Sequence, residues 1–432
     1  MGDFEMTYEE SLNYINSLLV FGSKPGLERI SAFLEKLGNP QNDLKFIHIA
    51  GTNGKGSTST MCANSLTDAG YKTGLYISPF VNDFRERIQI NGEMIPKERL
   101  CEIVTRLKPI CDEFLSSGNV ITEFEFITAL AFIYYKEEKC DIVCLEVGLG
   151  GRFDATNVIK TPLVCVITSI GLDHTAILGD TVEKIAAEKC GIIKDSVPVV
   201  CYPDQPSGVL GTVIETAGNK SSALYIPAPP HHSEIESDTA EKTAFRFSSL
   251  SFDLRMHGHH QLLNAITATQ ALLTLRAQGF EIPNSAIESG VSRAILPARI
   301  EKINEKPLVI VDGAHNPAGI DCLCETVRSL TQTPIVLVMG MLRDKDVESS
   351  LSKIAPLCRH FIAVEPNNPR KMSSQELCDI ASKHCEAECV QTYEFAAARA
   401  LKLAGENGAV ISCGSLYMAN DMRLALEKAL NV

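Results

Sequence analysis

From about residue 45 the chain alternates short, strongly apolar runs with stretches of helical periodicity. LKFIHIA (44–50), KTGLYIS (72–78), CDIVCLEV (140–147), PLVCVITSI (162–170) and VPVVCY (197–202) are the first five predicted strands. None shows strict polar alternation, as expected of strands covered on both faces, and strands interleaved with helices signal βαβ units in a parallel sheet. Between 203 and 256 the rhythm breaks into Pro, Ser, His and Glu clusters, followed by the alternating piece FRFSSLSFDLRM. That segment predicts a small antiparallel appendage or a long excursion. After Leu296-Pro297 a second series opens, with strands at 307–311, 334–339, 360–365 and 408–414. The amphipathic stretch from Gln261 to Ala277 and its following loop give way there to fresh strands, which places a domain boundary near Pro297. The expected units are 1–296 and 297–432.

Composition narrows the function classes. The chain has 432 residues, 45% hydrophobic and 22% charged, enough for two or three cores and too apolar to be mostly disordered. Its 40 basic and 53 acidic residues leave a net charge of −13, so no overall field favours nucleic acid, and an anionic ligand must be held by local donors. The longest apolar runs, such as 162–167 and 334–342, fall short of the roughly 20 residues that cross a bilayer, so no membrane partner is expected. The opening MGDFEMTYEE carries acid where a secretory leader carries base. Fifteen cysteines without a Cys-x-x-Cys pair read as free thiols, and the expected location is cytoplasmic.

The chemistry gathers at predicted strand ends. In HIAGTNGKGSTST a strand ends at Ala50, a glycine-rich turn follows and a helix starts near Lys55. Gly51, Gly54 and Gly56 let backbone N–H groups approach oxyanions, Lys55 adds a full charge, and the Ser57 hydroxyl suits Mg²⁺. The spacing departs from the usual G-x-x-x-x-G-K-[ST], with two residues between the first glycines and Gly56 before Ser57. The fold class expected is therefore α/β: a P-loop parallel-sheet ATPase domain with a small antiparallel appendage, followed by a second Rossmann-like α/β domain. Glu146 closes a strand before a glycine turn, where a metal carboxylate belongs. Asp173 and His174 close another, although histidine is an unusual Mg²⁺ ligand. Lys189, in AEKCGIIK, reads by itself as a solvated or paired lysine. In the second series Asp312 and His315 follow a strand, Asn316 is placed to cap the next helix, and SCGSLY closes the last strand. Arg85, Arg87, Lys97 and Arg99 form a basic cluster, as do Arg343 and Lys345. Both read as solvated faces, the alternative being steering of a polyanionic substrate.

Taken together, GTNGKGST (51–58), LYISPF (75–80), TEFEF (122–126), EVGLGGRFDATN (146–157), LDHT (172–175), EKCGI (188–192), HHQLLNA (259–265), LPAR (296–299), DGAHNP (312–317) and CGSLY (413–417) resemble, in this order, the folylpolyglutamate synthases and dihydrofolate synthases of the Mur-ligase superfamily. The resemblance implies an ATP-dependent carboxylate–amine ligase that transfers the γ-phosphoryl group to a carboxylate and lets the amine of glutamate attack the acyl phosphate. It assigns Asn53, Gly54, Lys55, Gly56 and Ser57 to the ATP phosphates, with Asn264, Arg299 and Asp312 as further nucleotide contacts. It makes Ser57, Glu146, His174 and Lys189 the Mg²⁺ ligands, Lys189 as a carbamate. Thr122, Phe124, Glu125, Phe153, Asp154 and Ala155 match pterin-binding stretches, and His315 and Ser415 match positions that receive glutamate. Lys55, Lys189 and His315 carry the catalytic expectation. The implied partners are folate or dihydropteroate, L-glutamate and ATP, acting on a monomer. Two departures stand out: Ala298 replaces a glycine common in relatives, and Phe80 follows Ser78-Pro79 where some bifunctional relatives have His. Rival readings are another Mur-type amino-acid ligase, which would need more than the roughly 50 residues before Gly51 for its extra domain, and a phosphate-loop ATPase that drives a partner. A nicotinamide oxidoreductase lacks its G-x-G-x-x-G after the first strand.

Overall fold

A computed structural model describes residues 6–22, 24–239, 241–331 and 333–431. The first sheet has eight strands: β1 (Phe46–Ala50), β2 (Thr73–Tyr76), β3 (Ile88–Ile90), β4 (Glu93–Met94), β5 (Ile142–Glu146), β6 (Val164–Ile167), β7 (Val199–Cys201) and β8 (Leu224–Tyr225), in the order β4-β3-β2-β5-β1-β6-β7-β8. From β2 to β8 all neighbours are parallel, whereas β3 and β4 add antiparallel to the edge. Every residue of β1, β5 and β6 is buried, which is why these strands are uninterrupted apolar runs in the sequence.

The break expected at 203 comes later. The helix Ser207–Asn219 and strand β8 continue the first sheet to Tyr225, and only β9 (Ile235–Asp238), β10 (Thr243–Phe247) and β11 (Leu250–Leu254) form the antiparallel appendage. Helix Ser207–Asn219 contains three glycines and an alanine and buries only Val209, Val213 and Ala217, so its periodic signal is weak. A second sheet of six strands follows: β12 (Glu301–Glu305), β13 (Leu308–Val311), β14 (Ile335–Met339), β15 (Cys358–Ala363), β16 (Ala387–Cys389) and β17 (Ala409–Cys413), in the order β12-β13-β17-β14-β15-β16. Its four inner strands are those expected from sequence. The edge strands β12 and β16 are short and partly exposed, and carry no apolar run.

The order β5-β1-β6 puts three loops side by side. Ile49 pairs with Glu146 and Ala50 with Ile167, so the exits of all three strands share one sheet edge. In the second sheet β13 and β17 are neighbours, so the turns after Val311 and Cys413 likewise emerge together.

The helix Lys55–Asp68 is held between the first sheet and the helices His259–Ala277 and Asn284–Ser292. At Gly290 the approach is backbone to backbone: a Cβ there would stand 2.2 Å from the Ser65 nitrogen and 2.4 Å from its Cα. Gly290→Ala should therefore cost about 3 kcal/mol by forcing these helices apart, read as a lowered urea midpoint. An unchanged midpoint would show that the helices yield freely. Among the described residues no helix is long and apolar enough to cross a membrane.

Candidate active site

The glycine-rich turn is shaped by the strand beside it. A Cβ on Gly51 would lie 1.8 Å from Thr168 Oγ1, and that hydroxyl donates to the Asn53 carbonyl at 2.8 Å. Thr52 Oγ1 donates to the Gly171 carbonyl at 3.1 Å, binding the turn to the loop after β6. Gly54 has φ +85°, and a Cβ there would stand 2.3 Å from Asn264 Oδ1, so glycine is required on both conformational and steric grounds. The helix begins at Lys55, with Ser57 buried in its first turn. Lys55 Nζ donates to the carbonyls of Gly51 and Thr52, each at 3.1 Å, and lies 4.0 Å from Glu146 Oε1. Burial lowers the Lys55 pKa, opposed by the charges of Glu146 and Asp173.

Glu146 and Lys189 complete this nest. Glu146 is buried and accepts from the Ser78 N–H at 3.2 Å. Burial pushes its carboxyl up to about 7 despite the nearby Lys55 charge. Lys189 ends the helix Val182–Lys189, and here the solvated reading fails. It is buried, its Nζ donates to the Gly51 carbonyl at 2.8 Å, and burial followed by Lys55 repulsion lowers it to about 7. The sequence hides this because β1 and a helix about 140 residues later meet only in the fold. The two groups act oppositely on stability. Glu146 binds more protons folded than unfolded, so its contribution is lost as pH rises from about 4.5 through about 7. Lys189 binds fewer, so stability is regained as pH rises from about 7 towards 10.5.

The donors around the turn fit a hard divalent cation in part. Ser57 and Glu146 offer oxygen, and Glu146 Oε2 is 3.4 Å from where a Cβ on adjacent Gly56 would stand. A buried carboxylate only partly compensated by Lys55 is a natural cation ligand. His174 stands in the loop after β6, beside the second domain. Its backbone is left-handed at φ 49°, and its Nε2 lies 3.3 Å from Lys345 Nζ of the second domain. Burial and that ammonium lower its pKa to about 4. Among the described residues no three His, Cys, Asp or Glu side chains converge as a metal cluster.

The second domain faces this edge. Asp312 is buried and spends both oxygens on backbone, accepting from Ile300 N–H at 2.8 Å and Ala314 N–H at 2.7 Å, so it shapes the junction turn. Arg299 Nη1 donates to the Ala298 carbonyl at 3.3 Å and lines a cavity of about 320 Å³ together with Asn82, Arg255, His257 and Leu296. Ala298 is fully buried with φ +53°, a region where an L residue costs about 1–2 kcal/mol. The alanine methyl is thus held in a backbone conformation that glycine adopts without this cost. Ser415 caps the helix Leu416–Leu430, accepting from Tyr417 N–H at 3.2 Å, and Asn316 caps Pro317–Leu330, accepting from Gly319 N–H at 2.8 Å. His315 Nδ1 bonds to the Gly313 carbonyl at 2.9 Å, and its Nε2 lies 3.4 Å from Asp173 Oδ2.

Asp173 is the hub that sequence reading undervalued. It accepts from Lys345 Nζ at 2.6 Å, Asn316 Nδ2 at 3.1 Å and the His174 N–H at 2.8 Å. Burial works against its ionisation, but the His315 hydrogen bond and the Lys345 charge hold it well below the usual carboxylate range. Asn53 and Asn316 exchange amide hydrogen bonds at 3.2 Å. Lys345, expected on a solvated face, is buried. Its partner Arg343 pairs with Glu376 on the surface. Three members of the other basic cluster are neutralised locally, Arg85 by Asp83, Arg87 by Glu123, and Arg99 by Glu102 and Glu137, while Lys97 lies over the Tyr8 ring.

The residues matched to pterin binding divide by role. Thr122 and Glu125 form a reciprocal helix cap, and Glu125 is also paired with Arg29 at 3.0 Å. Asp154 accepts from the Leu149 and Thr156 N–H groups at 2.8 and 3.0 Å, and Ala155 is buried behind it. Phe124 presses on Gly148, where a Cβ would meet its ring at 2.4 Å, while Phe153 is half exposed. The polar members thus spend their hydrogen bonds on local caps and turns, whereas the Phe153 ring is left half exposed.

Known proteins share this arrangement. Residues 49–272 match the Mur ligase middle domain and residues 298–416 the Mur ligase glutamate ligase domain. The Bacillus subtilis dihydrofolate synthase/folylpolyglutamate synthase is 35% identical, over 97% of this chain and 99% of its own length. The chain belongs to the folylpolyglutamate synthase/dihydrofolate synthase family of Mur ligases. The Lacticaseibacillus casei folylpolyglutamate synthase is 34% identical over 98% of this chain and 99% of its own. Among solved structures, a Mycobacterium tuberculosis folylpolyglutamate synthase complexed with ADP and AMPPCP superposes with a TM-score of 0.87 at 28% identity, covering 97% of this chain and 99% of that one. Escherichia coli FolC in complex with DHPP and ADP gives 0.82 at 29% identity, covering 99% and 100%. As a family member the chain is an ATP-dependent, amide-bond-forming ligase.

Proposed function

We propose that this ligase adds L-glutamate to folates and also to dihydropteroate, and that it works as a cytoplasmic monomer without nucleic-acid or membrane partners. The observation that carries the proposal is the meeting of the two domains at this edge, where Asn53 of the glycine-rich turn bonds Asn316 and Asp173 of the neighbouring loop reaches both Asn316 and His315. Amide formation in water needs an activated carboxylate. The bound folate's carboxylate attacks the γ-phosphorus of ATP, and ADP leaves. The amine of glutamate then attacks the acyl phosphate carbon, loses a proton and expels phosphate. Asn53, Gly54, Lys55 and Gly56 hold and neutralise the phosphates, Arg299 and Asp312 frame the nucleotide from the junction, and Asn264 buttresses Gly54. Phe124 and Phe153 supply the faces for the pterin, with Thr122, Glu125, Asp154 and Ala155 holding them. His315 and Ser415 receive the glutamate.

Ser57 and Glu146 are the residues that would hold Mg²⁺, which when bound supplies positive charge to the phosphoryl oxygens. Lys189 is carbamylated in this proposal. Burial keeps its amine near half neutral at pH 7, so the Nζ lone pair can bond the carbon of CO₂ while a proton leaves, turning a cation into an oxygen-donor anion. Support for His174 as a ligand is confined to the family resemblance, since its ring engages Lys345.

Labelled glutamate with ATP and either dihydropteroate or tetrahydrofolate is the direct assay. Labelled amide product with both acceptors, and ADP release that requires acceptor and glutamate, is the expected result. ADP release without either would favour an ATPase acting on a partner. Lys189→Ala should lose about 10²-fold in rate, with partial rescue by acetate. A full-rate variant would remove the carbamate from the reaction.

A further inference from the structure

We propose that Lys345 is a positioning residue for the ligase reaction: by clasping Asp173 across the domain interface it sets His315 and the second domain in register with the phosphate turn. This rests on the ligase reading above. Three observations support it.

The first is the burial of the contact. The Lys345 and Asp173 side chains are 5% and 8% exposed, and their charged atoms are 2.6 Å apart, although the residues lie 172 positions apart on different sheets. A charge pair so withdrawn from water is costly unless both partners stay in place, so it penalises any relative shift of the domains. The second is what converges on the same carboxylate. Asp173 is also held by Asn316 Nδ2, and Asn316 in turn exchanges amide bonds with Asn53 of the phosphate turn. His315 precedes Asn316 and reaches Asp173 with Nε2 at 3.4 Å. One carboxylate therefore indexes a lysine, a histidine and an asparagine of the second domain against the first. The third is the placement of Lys345 itself. It follows β14, whereas His315 follows β13, and β17 lies between them in the sheet. Two separate loops of the second domain are thus tied to one point, which fixes an orientation as well as a distance.

Lys345 acts through Asp173 and touches no reacting atom in this role. The element it completes is the register between nucleotide and incoming amine, where a small misplacement is costly in rate. Removing its ammonium should leave nucleotide binding on the first domain intact and impair the step that needs both domains.

Lys345→Met, Asp173→Asn and the exchange Asp173→Lys/Lys345→Asp test this in the full-length enzyme. With Lys345→Met, kcat/KM for glutamate should fall on the order of 10²-fold, while the dissociation constant for ADP changes less than about twofold. Small-angle X-ray scattering should show a larger radius of gyration, with the circular dichroism spectrum unchanged. The exchange variant should recover at least about tenfold over either single variant, because the attraction is restored with its polarity reversed. An exchange no better than the singles, or a Lys345→Met enzyme with wild-type kcat/KM for glutamate and wild-type dimensions, overturns the proposal. The scattering and ADP arms do not depend on the reaction. A wild-type enzyme that made no labelled amide would sink the substrate assignment while the clasp was still judged on those two arms.

Discussion

Lys55→Ala should abolish ADP formation, with a loss of at least about 10³-fold, and leave the fold standing. The side chain is 16% exposed beside the turn, with its ammonium 3.1 Å from each of two turn carbonyls and 4.0 Å from Glu146. It is the cation at the head of the helix Lys55–Asp68, proposed to meet the phosphates, and in a water-poor site one such charge is worth far more than in bulk solvent. The loss should fall mainly on kcat, because charge moves on to the bridging and γ oxygens as the phosphoryl group leaves. Burial already penalises this ammonium, so its removal should leave the melting temperature unchanged or slightly raised. Lys55→Met, which keeps the apolar stem, separates lost charge from lost packing. Turnover at wild-type rate by either folded variant would defeat the phosphate-turn assignment.

Glu146→Gln should produce a divided outcome: a rate loss on the order of 10²- to 10³-fold, and a ligand-free protein at pH 8 that is more stable than wild type by about 2 °C. The carboxyl is pushed up to about 7 by burial, so at pH 8 the folded chain carries a carboxylate that it holds at a cost. Gln keeps an acceptor for the Ser78 N–H but carries no charge. At pH 5, where the wild-type group is protonated when folded, the stability difference should vanish. The magnesium dependence of activity should weaken together with the rate. A variant with an unaltered magnesium titration, or one destabilised equally at pH 5 and pH 8, would show that Glu146 serves packing alone.

The legible parts of the fold share a physical cause. β1, β5, β6 and the inner strands of the second sheet are buried on both faces, so each had to be a continuous apolar run. Edge strands have one open side and no such requirement. β4, β8, β12 and β16, short and partly exposed, therefore left no mark, and helix Ser207–Asn219 was read as excursion. Within the site, the turn at 51–57 was legible because backbone approach to a phosphate demands glycines at fixed offsets, and Gly54 does adopt the left-handed conformation. Thr122 and Glu125 were legible as a motif, and the structure shows that the motif is also a local helix cap.

What the chain alone determined is the set of strand ends and the chemistry carried on each: Lys55 and Ser57 after one, Glu146 after the next, Asp173 and His174 after a third, Asp312 and His315 in the second domain. Those features are local, governed by side-chain periodicity and turn geometry over a few residues. The tertiary structure decided which of them face one another. It buried Lys189 against Gly51, brought His174 to Lys345, made Asp173 the hub of the domain interface, and placed Ala298 in a left-handed conformation. Each of these depends on contacts between segments far apart in sequence. Burial and charge at such a contact are properties of the assembled fold, because neither exists until both segments have left water together.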